Sequence, residues 1–297
     1  MWFIEILKAI LFGIVEGITE WLPVSSTGHL ILLDEFLSLN VAPQLNEAFR
    51  DEFGSVFEVV IQLGAILAVV VLFWKKINPF CSKGGTAERK ASLGLWGKII
   101  VASIPAGFVG VIGDKIIEKL TGKDIDGWIF NWQVVSCALI LYGVAFIVIE
   151  KICRNKHAKV NSLDALTYKD AIFVGCFQAL SIVPGTSRSG STILGSRCIG
   201  ISRETAAEFS FLLGVPAMFG ASAIKGLGFF KFVLENDISV PALAWAVLAV
   251  ASVVAFGVSM IVIKFLMDFV KKHSFIPFGI YRIILGVAVI LYFWLVK

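Results

Sequence analysis

The sequence predicts an all-α fold, a polytopic membrane helix bundle with about six full spans and two re-entrant helical hairpins arranged as inverted repeats. Three observations predict it. The chain is too apolar for water: 58% of its 297 residues are hydrophobic and 16% are charged, against roughly 45–50% and about 25% in soluble proteins. Apolar stretches of spanning length recur between short polar segments. Finally, basic residues concentrate in some of those segments and acidic residues in another. The 25 Phe and 8 Trp suit lipid-facing and interfacial positions.

Taken in order, residues 6–22 form an apolar run that carries Glu16 and Glu20 and stops at Pro23, and the short run 29–33 follows. Neither side of Pro23 spans comfortably alone, so the two are expected to dip in and return as a hairpin. Lys8 is the only basic residue in or before the first run, and acidic residues flank it, so this segment is expected to stay in the mature protein. Runs at 57–74, 99–113 (extending back to about Leu93) and 128–149 are predicted spans. Runs 171–183 and 192–201 flank Pro184 and form the second expected hairpin. Runs 207–224, 240–263 and 278–296 complete the spans. Pro105 and Pro216 are predicted kinks. Five cysteines without a C-x-x-C pair read as scattered apolar residues, not as a disulfide or metal framework.

Charge sets the orientation. The 75–98 segment carries Lys75, Lys76, Lys83, Arg89, Lys90 and Lys98 against Glu88, and the 150–170 segment carries Lys151, Arg154, Lys156, Lys159 and Lys169. Both are expected to be cytoplasmic. The 34–51 region, with Asp34, Glu35, Glu47 and Asp51 against Arg50, is expected outside. Following the spans then brings Lys264, Lys271 and Lys272 inside without further assumption. An internal repeat agrees with this path. Setting Gly13 on Gly175 places Glu16 on Gln178, Ser25 on Ser187 and Gly28 on Gly190. A second offset matches Glu58, Leu63 and Gly64 with Glu208, Leu213 and Gly214. One membrane domain, 1–297, is therefore expected, with a first repeat over 1–150 and a second, inverted, over 168–297.

Two polar clusters carry the chemistry. In the first, Glu16 and Glu20 lie one helical turn apart on one face. Two carboxylates in an apolar segment need a cation, a proton or an arginine. Pro23 ends that helix, and Ser25, Ser26, Thr27, Gly28 and His29 follow. The plainer alternative, snorkelling glutamates followed by a capped turn, explains one carboxylate better than this whole cluster. The second cluster is Pro184-Gly185-Thr186-Ser187-Arg188-Ser189-Gly190-Ser191-Thr192. Arg188 needs an anion there, and its planar fork suits phosphate oxygens. Gly185 and Gly190 let backbone N–H groups approach a ligand, and a helix beginning near Ser191 would point its positive end at an anion. The plainer alternative is that Arg188 only pairs with Glu16 or Glu20. Glu208 reads equally as a helix-start charge near Arg203 or as a functional group, and Gln62 as a hydrogen-bonding group between helices. Tyr281 and Arg282 read as markers of the inner membrane surface. Phosphoryl transfer needs this set of groups: cationic donors, a nucleophile or activated water, and an acid. A carboxylate pair suits Mg²⁺ or Ca²⁺.

The two clusters resemble the paired signatures of the bacterial undecaprenyl-diphosphatases, in the same order and in matched halves, and the resemblance extends over nearly the whole chain. It implies hydrolysis of undecaprenyl pyrophosphate to the carrier monophosphate, which supports peptidoglycan synthesis and bacitracin resistance, in the bacterial inner (plasma) membrane with the site open to the outer face. It also implies inverted repeats with re-entrant hairpins. By the same resemblance Glu16 and Glu20 are expected as metal ligands or general base, Ser26 as a nucleophile, His29 as acid, base or rival nucleophile, and Arg188 as the phosphate clamp. Ser25, Thr27, Gly28, Gly185, Ser187, Ser189 and Thr192 complete the expected substrate contacts. Serine attack, histidine attack and metal-activated water all stay open.

The expected partners are a polyprenyl pyrophosphate and membrane lipids, with no nucleic acid; a homodimer is compatible with the sequence. The other membrane lipid phosphatases use a Ser-Arg block followed closely by a histidine, whereas here no histidine follows Arg188 until His273. The rival reading from another class is a transporter or flippase of a polyprenyl phosphate lipid, which needs an anion site but not a carboxylate pair beside Ser26 and His29.

Overall fold

In the first half of the chain, α1 (Trp2–Thr19) and α2 (Ser26–Leu37) double back on each other around Pro23. They are followed by α3 (Glu47–Leu72), the single turn α4 (Trp74–Ile77), α5 (Gly85–Phe108) and α6 (Trp132–Cys153). The second half repeats the order. α7 (Tyr168–Ala179) and α8 (Arg188–Cys198) fold back around Pro184, and α9 (Arg203–Glu235), α10 (Ala242–Lys272) and α11 (Ile276–Val296) follow. This computed structural model describes residues 2–80, 85–113, 115, 116, 119, 129 and 131–296. Within them, six helices are long and apolar enough to cross a membrane, namely α3, α5 with its continuation to Gly113, α6, α9, α10 and α11. The chain is thus an all-α polytopic membrane bundle.

Local chemistry sets the helix starts. Asn46, Asn131 and Ser202 accept from the backbone N–H groups of Phe49, Val134 and Thr205, and Thr167 and Asp170 form a reciprocal capping box at α7. The helices run further than the apolar runs that announce them. The acidic residues from Glu47 to Glu52 lie inside α3, the basic residues from Arg89 to Lys98 inside α5, and Lys264–Lys272 is the last part of α10. These segments were expected as loops. Charged residues do not stop a helix; they only mark where it leaves the hydrocarbon. Pro105 and Pro216 both sit inside helices, and α5 passes into a π-helical turn over Val109–Gly113 soon after Pro105.

Packing relates the halves. α1 packs along α10, and its counterpart α7 packs along α5; α3 packs on α9, and α6 on α11. The closest approaches are made by glycines. A Cβ on Gly13 would lie 2.5 Å from the Ala251 carbonyl oxygen, and one on Gly175 would lie 2.2 Å from that of Ala102. Gly143 and Gly279 face each other in the α6–α11 crossing at 2.7 Å on the same measure. Small residues let helix backbones meet where lipid leaves little hydrophobic drive for association. One apolar core surrounds Trp21, Phe209, Phe211 and Ile193, and another surrounds Phe12, Phe53, Phe57 and Phe229. The outer surface stays apolar, with residues such as Val253, Ile261 and Trp294 exposed. The cysteines Cys137, Cys176 and Cys198 are on this exterior instead of filling the core.

Candidate active site

The turns of the two hairpins meet inside the bundle. Each short second helix starts in the same way. Ser25 (φ 77°) and Ser187 (φ 70°) adopt left-handed backbone conformations that serine rarely takes, and each side chain accepts the N–H three residues on, from Gly28 and Gly190. The strain lets the chain turn sharply enough to start a new helix beside the old one. The matched serines of the repeat therefore do matched work, and α8 begins at Arg188, three residues earlier than Ser191.

Glu20 is the junction. Ser26 Oγ donates to its Oε2 at 2.7 Å, and Arg188 Nη2 donates to its Oε1 at 2.8 Å. Ser189 Oγ donates to the Glu20 carbonyl at 3.0 Å. Arg188 also donates from Nη1 to the Ser210 carbonyl at 2.7 Å and stacks its guanidinium 5.9 Å from the Trp21 ring. Space for that guanidinium comes from Gly214: a Cβ there would lie 2.8 Å from Arg188 Cζ. Arg188 Nε is buried with no hydrogen-bond partner among the described residues. Beside these groups lies a cavity of about 270 Å³ lined by Glu20, Ser26, Thr27, Gln62, Gly185, Ser187 and Arg188, among others. Gln62, expected between helices, faces this cavity.

The other expected residues are arranged differently. Glu16 is fully buried, does not line the cavity, and neither of its carboxylate oxygens has a hydrogen-bond partner among the described residues. Ser25 and Gly28 form the cap. Ser189 and Thr192, expected against the substrate, are completely buried. Ser189 fastens one hairpin to the other, and Thr192 donates to the Arg188 carbonyl at 2.9 Å and sits 2.7 Å from Ser210 Oγ. Both hydroxyls are thus engaged by groups of the protein itself. His29 is outside the cavity lining. Its Nδ1 lies 2.7 Å from the Ser25 carbonyl and its Nε2 lies 2.7 Å from the Tyr281 hydroxyl, with the two rings parallel. Since a carbonyl only accepts, Nδ1–H donates to Ser25, and in the neutral ring Nε2 accepts from Tyr281. Glu208 pairs with Lys76.

Arg282 corrects the sequence reading. It is not at a membrane surface but completely buried. Its Nη1 donates to the Pro23 carbonyl at 3.1 Å, and its Nη2 donates to the Gly185 and Thr186 carbonyls at 2.6 and 3.0 Å. One guanidinium from α11 thus pins both hairpin turns. Ser210 is not singled out by the sequence reading, Gly214 enters it only as a match in the repeat, and Tyr281 only as an interfacial marker. A serine and a glycine inside the apolar α9 were the available signals for the first two.

A polytopic bundle whose two hairpins set a serine, a carboxylate and an arginine around an internal cavity is a membrane protein built to handle an anionic group. The chain belongs to the bacitracin resistance protein BacA family, whose sequence model matches residues 9–288. It is 50% identical over 296 residues to undecaprenyl-diphosphatase 1 of Clostridioides difficile, covering 98% of this chain and 97% of that one. It is also 50% identical over 292 residues to an undecaprenyl-diphosphatase of Desulfitobacterium hafniense, covering 98% and 96%. With that of Enterococcus faecalis it shares 48% identity over 295 residues, covering 99% of both.

Proposed function

We propose that this protein hydrolyses undecaprenyl pyrophosphate to undecaprenyl phosphate and inorganic phosphate, recycling the carrier lipid for cell-envelope synthesis and conferring bacitracin resistance. The observation that carries the reading is the Ser26–Glu20–Arg188 hydrogen-bonded set at the cavity wall.

The chemistry follows from the donors. Arg188 leaves its internal partners enough to present N–H groups to the non-bridging oxygens of the terminal phosphate, where charge builds in the transition state. Ser26 Oγ already gives its proton to a hydrogen bond with Glu20. In attack, Oγ forms a bond to the terminal phosphorus, the bridging P–O bond breaks, and undecaprenyl phosphate leaves. The Ser26 proton passes to Glu20. Glu20 passes that proton to the departing undecaprenyl phosphate; a water then attacks the phosphoserine phosphorus, and Glu20 takes the water's proton and returns it to Ser26 Oγ as the Oγ–P bond breaks and phosphate departs. His29, held by Tyr281 away from the cavity, positions the start of α2 in this scheme.

The donor set also fits a divalent cation. Two carboxylates in an apolar segment need a cation, a proton or an arginine; Glu20 has Arg188, and Glu16, one turn away, has no hydrogen-bond partner among the described residues. Glu16 and Glu20 would hold Mg²⁺ or Ca²⁺. Bound there, the cation supplies positive charge to the pyrophosphate. A flippase would use the Arg188 clamp but has no use for a serine hydroxyl aimed at a carboxylate.

The loop charges favour a site reached from the outer face of the inner membrane, with the two halves as inverted repeats. Mass spectrometry of products formed from undecaprenyl pyrophosphate by purified protein tests the reading. Undecaprenyl phosphate and phosphate in equal amounts are expected, and a phosphorylated Ser26 peptide is expected after rapid acid quench. Intact substrate after prolonged incubation with Mg²⁺ or Ca²⁺ would refute it.

A further inference from the structure

A second cavity, about 490 Å³ in volume, lies between α6 and the turn of the second hairpin. Val134, Cys137 and Leu141 form one wall, spaced three and four residues apart on one face of α6. Leu180, Val183 and Thr186 form the other. Leu141 is 68% and Leu180 49% exposed, so the groove opens on the lipid-facing outside of the bundle. Val183 lines this groove and also the polar cavity that holds Arg188 and Ser26. The two spaces therefore share a wall at the hairpin turn, one polar and one apolar.

A molecule whose phosphate is held at Arg188 and whose next atoms are hydrocarbon has to leave the polar cavity by an apolar route. The cavity beside Lys76 and Glu208 is lined largely by charged and polar groups and shares no residue with the Arg188 cavity. We propose that the α6–hairpin groove seats the first isoprene units of the polyprenyl tail, passing over Val183 from the phosphate site. This rests on the hydrolytic reading of the Ser26–Glu20–Arg188 cavity. The groove is the size of a small-molecule site, roughly 300–1,000 Å³. It holds the beginning of the tail and leaves the rest in the bilayer.

Cys137 supplies the test. Cys137→Trp fills the groove without touching the phosphate site. Its kcat/KM on farnesyl pyrophosphate is expected to fall about tenfold or more while that on dimethylallyl pyrophosphate stays near wild type. Equal losses on both substrates, or none on either, overturn the proposal. A second measurement does not depend on that variant folding. In a chain with Cys81, Cys153, Cys176 and Cys198 replaced by alanine, undecaprenyl phosphate is expected to slow labelling of Cys137 by a lipid-soluble maleimide, and the same amount of phosphatidylcholine is not. Equal labelling with either lipid means that ordinary bilayer lipid fills the groove, and the proposal fails. A wild-type protein inactive on undecaprenyl pyrophosphate refutes the hydrolytic reading instead, and the labelling result still decides the groove.

Discussion

Glu20 receives one hydrogen bond from each hairpin through its two side-chain oxygens, so its loss disconnects Ser26 from Arg188. Glu20→Gln and Arg188→Ala are each expected to lower kcat/KM for a prenyl pyrophosphate about 10²–10³-fold, the range for removing one charge-stabilising group. Arg188→Lys is not expected to restore it, since an ammonium lacks the planar two-armed fork that meets Glu20 and the Ser210 carbonyl and suits phosphate oxygens. Steady-state phosphate release checks both. Arg282→Met leaves the Pro23, Gly185 and Thr186 carbonyls without their donor, at about 1–3 kcal/mol for each buried group left unpaired. A clearly lower Tm together with lost activity is expected, measured by thermal unfolding in detergent. An unchanged Tm would mean that the hairpin turns hold themselves. At this scale the sequence was informative where polar residues interrupt an apolar run: Glu20, Ser26 and Arg188 stood out. Arg282 did not, because one arginine near the start of a terminal span has the same pattern as an interfacial anchor. For Thr192 and Ser189, spacing does not say that their hydroxyls bond backbone and hydroxyl groups of the protein.

At the scale of elements, the hairpins were legible from Pro23 and Pro184 and the Ser/Gly-rich turns after them. The helix ends were not, because hydropathy marks the hydrocarbon boundary and not the last helical hydrogen bond. The helix pairs depend on glycines at their crossings. Gly13→Leu and Gly175→Leu each place side-chain atoms against a facing carbonyl, with Cβ itself at 2.5 and 2.2 Å. Overpacking of this kind costs about 1–3 kcal/mol or more. Both variants are expected to unfold at lower temperature than wild type, whereas Gly94→Leu, where a Cβ meets nothing within 4 Å, is not. Equal Tm values for all three would show that the crossings tolerate separation.

For the whole molecule, the bundle surrounds a polar junction that neither half contains alone. Ser26 and Glu20 come from the first hairpin, Arg188 from the second and Arg282 from the last helix. The repeat was visible in the sequence through few identities, Gly13 with Gly175 and Ser25 with Ser187 among them, and these are the positions where helices cross or turn. Loop charge predicts an orientation that can be tested. A cysteine at Lys156 is expected to react with a membrane-impermeant maleimide only after the cells are opened, and one at Asn40 in intact cells. The reverse pattern would place the hairpins the other way round. If Glu16 and Glu20 hold a divalent cation, EDTA is expected to abolish phosphate release and Mg²⁺ or Ca²⁺ to restore it; full activity in EDTA would remove the metal from the scheme.

The most direct test of one shared site is a double-mutant cycle in phosphate release, using purified wild type, Glu20→Gln, Arg188→Ala and the double variant. Groups that act as a unit give strongly non-additive losses. The double variant is therefore expected to be about as slow as the slower single variant. Losses that multiply would contradict the account, because the two hairpins would then be contributing separately.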